Sequence, residues 1–330
     1  MNLLRRHLLH MAFAACVATP AMVAAAAADD YPSHPVTIIV GYPPGGPTDL
    51  VAHILAESMR KTLGQTVIVE NSGGAAGTIG SAKVARATPD GYTIMVSQWS
   101  AQVGAPGAMK LAFDPIESFE PISMLTTSPL WLIGRPGLPA KDIKELLAWM
   151  KANSGKATIG QVGYGSAAHV FLVDFEHKTG TKFAMVPYKG GAPTMQDLIG
   201  GQIDLSVLEA GQTLANVKAG KIKAYAVATK KRWFADPDVP TFEEAGVKGL
   251  LLPFWHGMWA PKGTPKPIID KLVVAVQTAF RDKDVQKHLA DLGHEIPPFE
   301  EQNPKALATY HKAELDKWWP VMRSAGIVPK

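Results

Sequence analysis

The sequence predicts an α/β fold of two lobes, the first of which is built from two separate parts of the chain. Short apolar, β-branched runs alternate with segments of helical periodicity, and this pattern predicts mostly parallel sheets. The length of 330 residues is more than one ordinary core accommodates. A stretch punctuated by prolines at 237–267 precedes a helical C-terminus, which indicates that the chain returns there to its first lobe.

The chain opens with a targeting segment. Arg5 and Arg6 supply positive charge, an alanine-rich apolar stretch follows at 8–23, and small residues at 26–28 offer a cleavage site. We therefore expect residues 1–28 to be a cleaved signal peptide and the mature protein to be periplasmic. An uncleaved membrane anchor is the alternative, which the shortness of the apolar stretch disfavours. The arginine pair leaves both the general and the twin-arginine export routes open.

Composition excludes several classes of function. The chain has 33 lysines and arginines against 29 aspartates and glutamates, an excess too small for a nucleic-acid-binding surface. Its one cysteine, Cys16, lies in the leader, so the mature chain would have no disulfide, cysteine nucleophile or thiolate metal site. No histidine and carboxylate cluster has metal-ligand spacing. We therefore expect neither a metal nor a cofactor.

Two units of strand, glycine turn and helix open the first lobe. The run 36–40 leads into the turn 42–49 and a helix that ends near Gly64. The run 67–69 leads into the glycine-rich stretch 71–80 and a second helix. Glycines allow the backbone to approach a ligand closely, and a helix start leaves amide N–H groups free. Both turns are therefore predicted to favour an anion.

The first crossing between lobes is predicted near Pro129. A third strand at 92–96 ends close to Gln98, and apolar runs at 122–125 and 130–133 then flank the proline. A domain interrupted by another has both connections on one side, which makes a hinge with a cleft. Ligands of parallel sheets bind at the carboxyl ends of the strands.

A second set of alternating units follows. Strands are predicted at 157–160, 183–186, 203–208 and 222–227. Two of these strands end in glycine turns, at 163–166 and 187–191. Helices at 268–280, 285–292 and 304–324 complete the chain. We therefore assign residues 29–128 and 251–330 to lobe 1 and residues 129–250 to lobe 2.

Little in the sequence indicates catalysis. Ser166 and His169 share a helix face, but neither a G-x-S-x-G elbow nor an orienting acid accompanies them. We expect Ser166 to cap its helix and His169 to line the cleft. Lys189, in a glycine turn, can contact an anion or form a Schiff base. Asp204 and Glu209 flank a strand end, where each can accept a hydrogen bond from a ligand or cap a turn.

A series of motifs in fixed order matches a known family. The motifs are YP at 31–32, PV at 35–36, YPPGGPTD at 42–49, LGQ at 63–65, VEN at 69–71, PDGYT at 89–93, VPYKGGAP at 186–193, GGQID at 200–204, PDVPT at 237–241 and EAG at 244–246. Over essentially the whole mature chain, the sequence resembles the Bug-type extracytoplasmic solute receptors. These are the binding subunits of tripartite tricarboxylate transporters.

The resemblance implies a Venus-flytrap fold, similar to type II periplasmic binding proteins, and no enzymatic activity. It implies that a small carboxylate is held largely by backbone amides and waters, without an obligatory arginine, and is delivered to the transporter's membrane subunits. We expect the receptor to be a monomer. With Gln98, Asp204 and Glu209 added from the strand ends, the predicted ligand-binding residues are Tyr42, Gly45, Gly46, Thr48, Asp49, Gly74, Ala75, Gly77, Gln98, Gly165, Ser166, His169, Tyr188, Lys189, Gly190, Asp204 and Glu209.

One stretch departs from the family pattern. Where the family usually shows Arg-Pro-Gly-Ala-Gly-Gly after the asparagine, this chain has Ser-Gly-Gly-Ala-Ala-Gly at 72–77. The loss of proline loosens the turn, and Ala76 adds a methyl group where the backbone approaches the ligand.

Two other functions stay open at this point. A sensing receptor would hand its closed form to a signalling partner, and an enzyme on the same scaffold would rely on Ser166, His169 and Lys189. The identity of the carboxylate is also open. Aromatic residues such as Trp99 and Trp255 would suit an aromatic acid if they face the cleft, whereas Glu209 would suit an amino acid or a hydroxylated acid.

Overall fold

The computed structural model describes residues 30–329, so the predicted leader at 1–28, with Cys16, lies outside the described residues. The strands are β1 (Val36–Val40), β2 (Val67–Asn71), β3 (Thr93–Gln98), β4 (Phe119–Gly134), β5 (Thr158–Gln161), β6 (Ala184–Pro187), β7 (Leu205–Glu209), β8 (Lys223–Val227) and β9 (Pro253–Pro261). The helices are α1 (Pro47–Leu63), α2 (Thr78–Ala85), α3 (Ala105–Ala108), α4 (Ile143–Ala152), α5 (Ala167–Thr179), α6 (Gly191–Ile199), α7 (Ala210–Lys218), α8 (Lys266–Arg281), α9 (Lys283–Asp291) and α10 (Pro304–Ser324). A π-helical segment, Ser100–Gly104, lies between β3 and α3.

Two sheets share the long strand β4. The strand order is β2-β1-β3-β9-β4-β7-β5-β6, and β8 also pairs with β4. Up to Pro129, β4 pairs with β9, and from Leu130 onward it pairs with β7. The predicted α/β fold with two lobes is confirmed, and a single strand joins the two sheets.

The sheets are mixed, so the prediction of mostly parallel sheets is wrong. The pairs β1–β2, β1–β3, β5–β6 and β5–β7 are parallel. The pairs β3–β9, β4–β9, β4–β7 and β4–β8 are antiparallel. The sequence analysis did not identify β9 as a strand because Pro253 and Pro261 bound it and obscure the apolar run between them.

The first unit, made of β1, the turn after it and α1, is bounded by the proline and glycine signals of its sequence. Pro47 occupies the first turn of α1, where its missing N–H costs nothing, and Gly64 ends the helix at a φ of 67°. Leu55 and Met59 are fully buried, and they belong to the same apolar cluster as Ile38 of β1 and Leu272 of α8. This packing fixes the start of α1 at the carboxyl end of β1.

The C-terminal helix α10 packs across the middle of the molecule. Asn303 caps it by accepting from Ala306 N, and Pro304 occupies its first turn. Its buried residues Trp318 and Met322 belong to a cluster that also contains Trp99 and Phe171. Within residues 30–329, no helix combines the length and the apolar character that crossing a membrane requires.

Candidate ligand-binding site

The predicted turns lie at the carboxyl edges of the two sheets. β1, β2 and β3 run parallel, so the turn 42–49, the turn 72–77 and the segment 98–104 leave the first sheet at one edge. β5, β6 and β7 are likewise parallel, and their carboxyl ends lead into 162–166, 188–190 and Glu209. The two edges meet, because Ser100 Oγ accepts from Ala167 N at 3.2 Å.

Asp49 and Asn71 hold the first turn in shape. Asp49 Oδ2 accepts from Gly45 N at 2.8 Å, and Asp49 Oδ1 accepts from Asn71 Nδ2 at 2.7 Å. Asn71 Nδ2 also donates to Tyr42 O at 3.0 Å. Asp49 is buried, and it uses the Gly45 amide that the sequence analysis assigned to the ligand. We therefore reassign Asp49 and the Gly45 amide to organising the turn.

The start of α1 leaves backbone donors available. Gly46 is its N-cap and has no side chain, so no side-chain cap meets the amides of Thr48 and Asp49. The Thr48 hydroxyl instead pairs with His256 Nε2 of β9 at 3.1 Å. The amides and the positive end of a 17-residue helix favour a negative charge at this point.

The second turn has an unusual backbone. Ala75 and Ala76 have φ values of 47° and 56°, a left-handed conformation that costs a residue with a side chain about 1–2 kcal/mol. Gly74 and Ala75 are exposed, whereas Gly77 is buried. The Tyr42 hydroxyl donates to Ala76 O at 3.0 Å and joins the two first-lobe turns. Burial raises the pKa of Tyr42, so its hydroxyl keeps its proton.

The segment 98–104 completes the first-lobe side. Gln98 is buried, and its Oε1 accepts from Ser100 N at 2.6 Å, so this predicted ligand contact caps the segment instead. Trp99 is fully buried and donates from Nε1 to Glu314 Oε2 at 2.9 Å. Trp255 is fully buried as well, so neither tryptophan presents a face to an aromatic ligand.

On the second-lobe side, the predicted helix cap is present. Ser166 Oγ accepts from His169 N at 3.1 Å, and Gly165 N donates to His169 Nδ1 at 3.2 Å. The Ser166 hydroxyl therefore bonds the His169 backbone, while the imidazole bonds Gly165. Burial lowers the pKa of His169, which keeps the ring neutral.

The turn after β6 is the more open part of this side. Tyr188 N donates to Gln161 O at 2.8 Å, and the Tyr188 hydroxyl donates to Asp197 at 2.7 Å. Burial and this carboxylate raise the pKa of Tyr188 to about 12. Lys189 is exposed, and Gly190 is the N-cap of α6 without a side-chain cap. This turn therefore offers the α6 amides and one flexible cation.

Asp204 does not lie at this edge. It precedes β7 at the amino end of the strand, forms an ion pair with Arg135 Nε at 3.0 Å, and accepts from Thr158 N at 3.0 Å. Burial raises its pKa, but the hydrogen bonds from Thr158 and Arg135 outweigh that effect and lower it overall. We therefore remove Asp204 from the proposed ligand-binding residues, because it lies at the opposite edge of the sheet from the predicted turns.

Glu209, at the carboxyl end of β7, belongs to a buried polar chain that the sequence analysis did not find. Glu209 Oε1 lies 3.5 Å from His294 Nε2, the rings of His294 and His256 are 5.3 Å apart, and His256 contacts Thr48. Neither Glu209 oxygen has a well-formed hydrogen bond within residues 30–329. Burial raises the pKa of Glu209 to about 8, although the Ser128 hydroxyl lowers it somewhat. Isolated histidines inside apolar runs were the only sequence signal for this chain.

The two histidines of this polar chain, His256 and His294, are neutral. Burial lowers the pKa of His294 to about 4, and burial with the neighbouring His294 lowers the pKa of His256. The polar chain therefore links the first turn to the second sheet without a buried full charge at neutral pH. Among the described residues, no group of three or more histidine, aspartate or glutamate side chains is arranged to hold a metal ion.

Comparison with known proteins gives the family. A model described as tripartite tricarboxylate transporter family receptor matches residues 51–327. The chain belongs to this family. The sequence resemblance to Bug-type receptors is therefore confirmed, and members of the family are periplasmic solute-binding proteins.

Several solved structures are similar to this receptor in both sequence and fold. The periplasmic binding protein BugD is 43% identical, with a TM-score of 0.84 over 91% of this chain and 100% of BugD. MatC from Rhodopseudomonas palustris, solved with bound malate, is 35% identical, with a TM-score of 0.83 over 88% of this chain and 99% of MatC. An R. palustris protein solved with adipate is 29% identical, with a TM-score of 0.86 over 91% and 100% of the two chains.

Proposed function

We propose that this receptor captures a small organic acid between its lobes in the periplasm and delivers it to the membrane subunits of a tripartite tricarboxylate transporter. The observation that carries the proposal is a set of uncapped helix starts at the carboxyl edges of the sheets. The N-caps of α1, α2 and α6 are Gly46, Gly77 and Gly190, and none of them has a side-chain cap. The starts of α1 and α6 offer amide donors to an anion, whereas the first amide of α2, Thr78 N, already donates to Ala75 O.

The charges of the site favour a carboxylate ligand. Asp49 is already bonded within its own turn, and His169 is kept neutral by burial. Lys189 is the one lysine or arginine among the predicted site residues. The relatives solved with malate and adipate hold dicarboxylic acids, which supports the same class here.

Backbone donors suffice for useful affinity. A charge-assisted hydrogen bond contributes about 1.5–3 kcal/mol before the costs of ordering and desolvation. Four or five such bonds give roughly micromolar binding. Lobe closure after docking would then present the membrane subunits with a surface that differs from that of the open form.

The lobe boundaries and the export route form part of the proposal. We assign residues 29–128 and 251–330 to lobe 1 and residues 129–250 to lobe 2. The change of partner along β4 between Pro129 and Leu130 supports the first boundary. We further propose that residues 1–28 direct export and are removed, and that the receptor acts as a monomer.

Thermal unfolding with a panel of acids tests ligand binding. Malate, adipate, aspartate and benzoate should be compared with malamide and adipamide, which are the neutral counterparts of the first two. A ligand at about 100 Kd stabilises the folded state by about 2.7 kcal/mol, so at least one acid should raise the Tm while both diamides leave it unchanged. No response to any acid, or an equal response to the diamides, would contradict carboxylate capture.

Delivery is tested separately. The tagged receptor, loaded with the acid that stabilises it, should retain the membrane subunits of a tripartite transporter from solubilised membranes. Retention of a sensor kinase in their place would favour the sensing function.

Lys189→Gln should weaken acid binding only severalfold, because backbone amides supply most of the contacts.

A further inference from the structure

One hydroxyl group of the first lobe caps a helix of the second. Ser100 Oγ accepts from Ala167 N, the first residue of α5, at 3.2 Å, and Ser100 is buried. The amides of a first helical turn have no partner within the helix. Ser166 meets one of them by accepting from His169 N. The start of α5 is therefore capped twice, once from its own lobe and once from the other.

The backbones of the two lobes also touch beside this hydrogen bond. A Cβ atom on Gly104 would collide with the Gly165 carbonyl oxygen, and a Cβ atom on Gly165 would lie 2.8 Å from Ala108 Cβ. Gly165 has a φ of 75°, a conformation that favours glycine. The two backbones can approach this closely only because Gly104 and Gly165 both lack a side chain.

Helix α10 holds the segment 100–104 from behind. A ring nitrogen of His311, Nε2, lies 2.8 Å from Gln102 O, and Trp319 Nε1 donates to Val103 O at 3.0 Å. Burial lowers the pKa of His311 to about 4, so the neutral ring donates through Nε2. These donors fix a π-helical segment, a form that is rare and often found at functional sites.

We propose that Ser100 is a positioning residue whose hydrogen bond to Ala167, beside the Gly104–Gly165 contact, holds the lobes closed and sets how long the ligand stays bound. This inference rests on the proposed function, because it assumes that closure retains the ligand. Ser100 Oγ and Ala167 N lie on different lobes, so the proposal requires that they separate when the lobes open. The hydrogen bond therefore forms after docking, and its loss should speed dissociation while leaving association unchanged.

Ligand kinetics provide the first test, with the full chain, malate and adipate as probes, and stopped-flow measurement. Ser100→Ala should raise the dissociation rate about five- to tenfold and change the association rate less than about twofold. Ser123→Ala is the matched control, since Ser123 is also buried and its hydroxyl donates to Met124 O within β4. An unchanged dissociation rate, or an effect confined to association, would overturn the proposal.

Amide hydrogen exchange tests the contact without depending on ligand affinity. In Ser100→Ala, the Ala167 amide should exchange faster than in the wild type, whereas the Val170 amide, bonded to Ser166 O, should not change. Ser100→Cys keeps the side chain's size but accepts hydrogen bonds weakly, so it should behave like the alanine variant. Where binding of a probe has been measured, equal exchange at Ala167 with and without that probe would overturn the proposal. If neither probe binds, the proposed ligand class fails while this measurement still decides whether the closure contact exists.

Discussion

Glu209 should make the protein less stable as the pH rises from acidic to mildly alkaline. Its side chain is 3% exposed, and burial raises its pKa from 4.5 to about 8. The folded state therefore keeps a proton that the unfolded chain releases above the ordinary pKa of glutamate. The contribution to stability is complete below that ordinary pKa and is lost as the pH rises to the folded-state pKa. Replacing Glu209 with glutamine, which does not titrate, should remove this dependence.

The size of the effect follows from linkage. Between the two pKa values, the folded state holds one more proton than the unfolded chain. The free energy of unfolding therefore falls by about 1.4 kcal/mol for each unit of rising pH. From about pH 5.5 to about pH 7.5, the wild type should thus lose about 2–3 kcal/mol relative to Glu209→Gln. Below its ordinary pKa of 6.5, His294 has the opposite effect on stability, because burial disfavours the protonated ring in the folded state. Because Glu209 Oε1 lies 3.5 Å from His294 Nε2, the substitution also alters the surroundings of this ring, so the comparison isolates Glu209 above about pH 6.5, where His294 is neutral in both the folded and the unfolded state.

Urea unfolding at a series of pH values between about 5.5 and 8.5 measures this difference directly. Glu117→Gln is the control, because it makes the same substitution at an exposed position. A constant difference between the wild type and Glu209→Gln over the whole range would refute the argument that Glu209 is protonated in the folded state.

Three further predictions concern stability and are measured by chemical denaturation. Asn71→Ala should lower the unfolding free energy by about 2–3 kcal/mol, because it removes a hydrogen bond to a buried carboxylate and a second one to a carbonyl; a loss below about 0.5 kcal/mol would contradict this role. Ala76→Gly should raise it by about 1 kcal/mol by relieving the left-handed φ of 56°, whereas Ala82→Gly within α2 should lower it by about as much. Trp99→Phe should cost about 2–4 kcal/mol, since the buried Glu314 loses an indole donor; a neutral result would mean that this hydrogen bond is dispensable.

Local signals in the sequence predicted the elements that depend on local chemistry. Asp142 and Ser166 cap their helices as expected, by accepting from Glu145 N and His169 N. The helix predicted at 304–324 has those bounds, because Pro304 and the spacing of its apolar residues mark it clearly. Periodicity and caps are properties of short stretches, so one sequence suffices to find them.

Features that depend on distant partners were missed. The strand β9 is stabilised by β3 and β4, and the π-helical segment after β3 is held by donors from α10. Side-chain direction was equally inaccessible, since Trp99 turned inward to Glu314 and Asp204 lay at the wrong end of its strand. The candidate turns were found from glycine placement, whereas the roles of Ser100, His256 and His294 become visible only when the two lobes are assembled.

The position of β9 has a consequence for how the chain acquires its structure. β9 lies between β3 and β4, although the strands β5 to β8 separate it from both of them along the chain. As a polypeptide emerges from the ribosome, β3 and β4 are made early and present unpaired edges until the late strand arrives. Premature self-association of those edges is the hazard, and an export route that keeps the chain unfolded until its full length is available would avoid it.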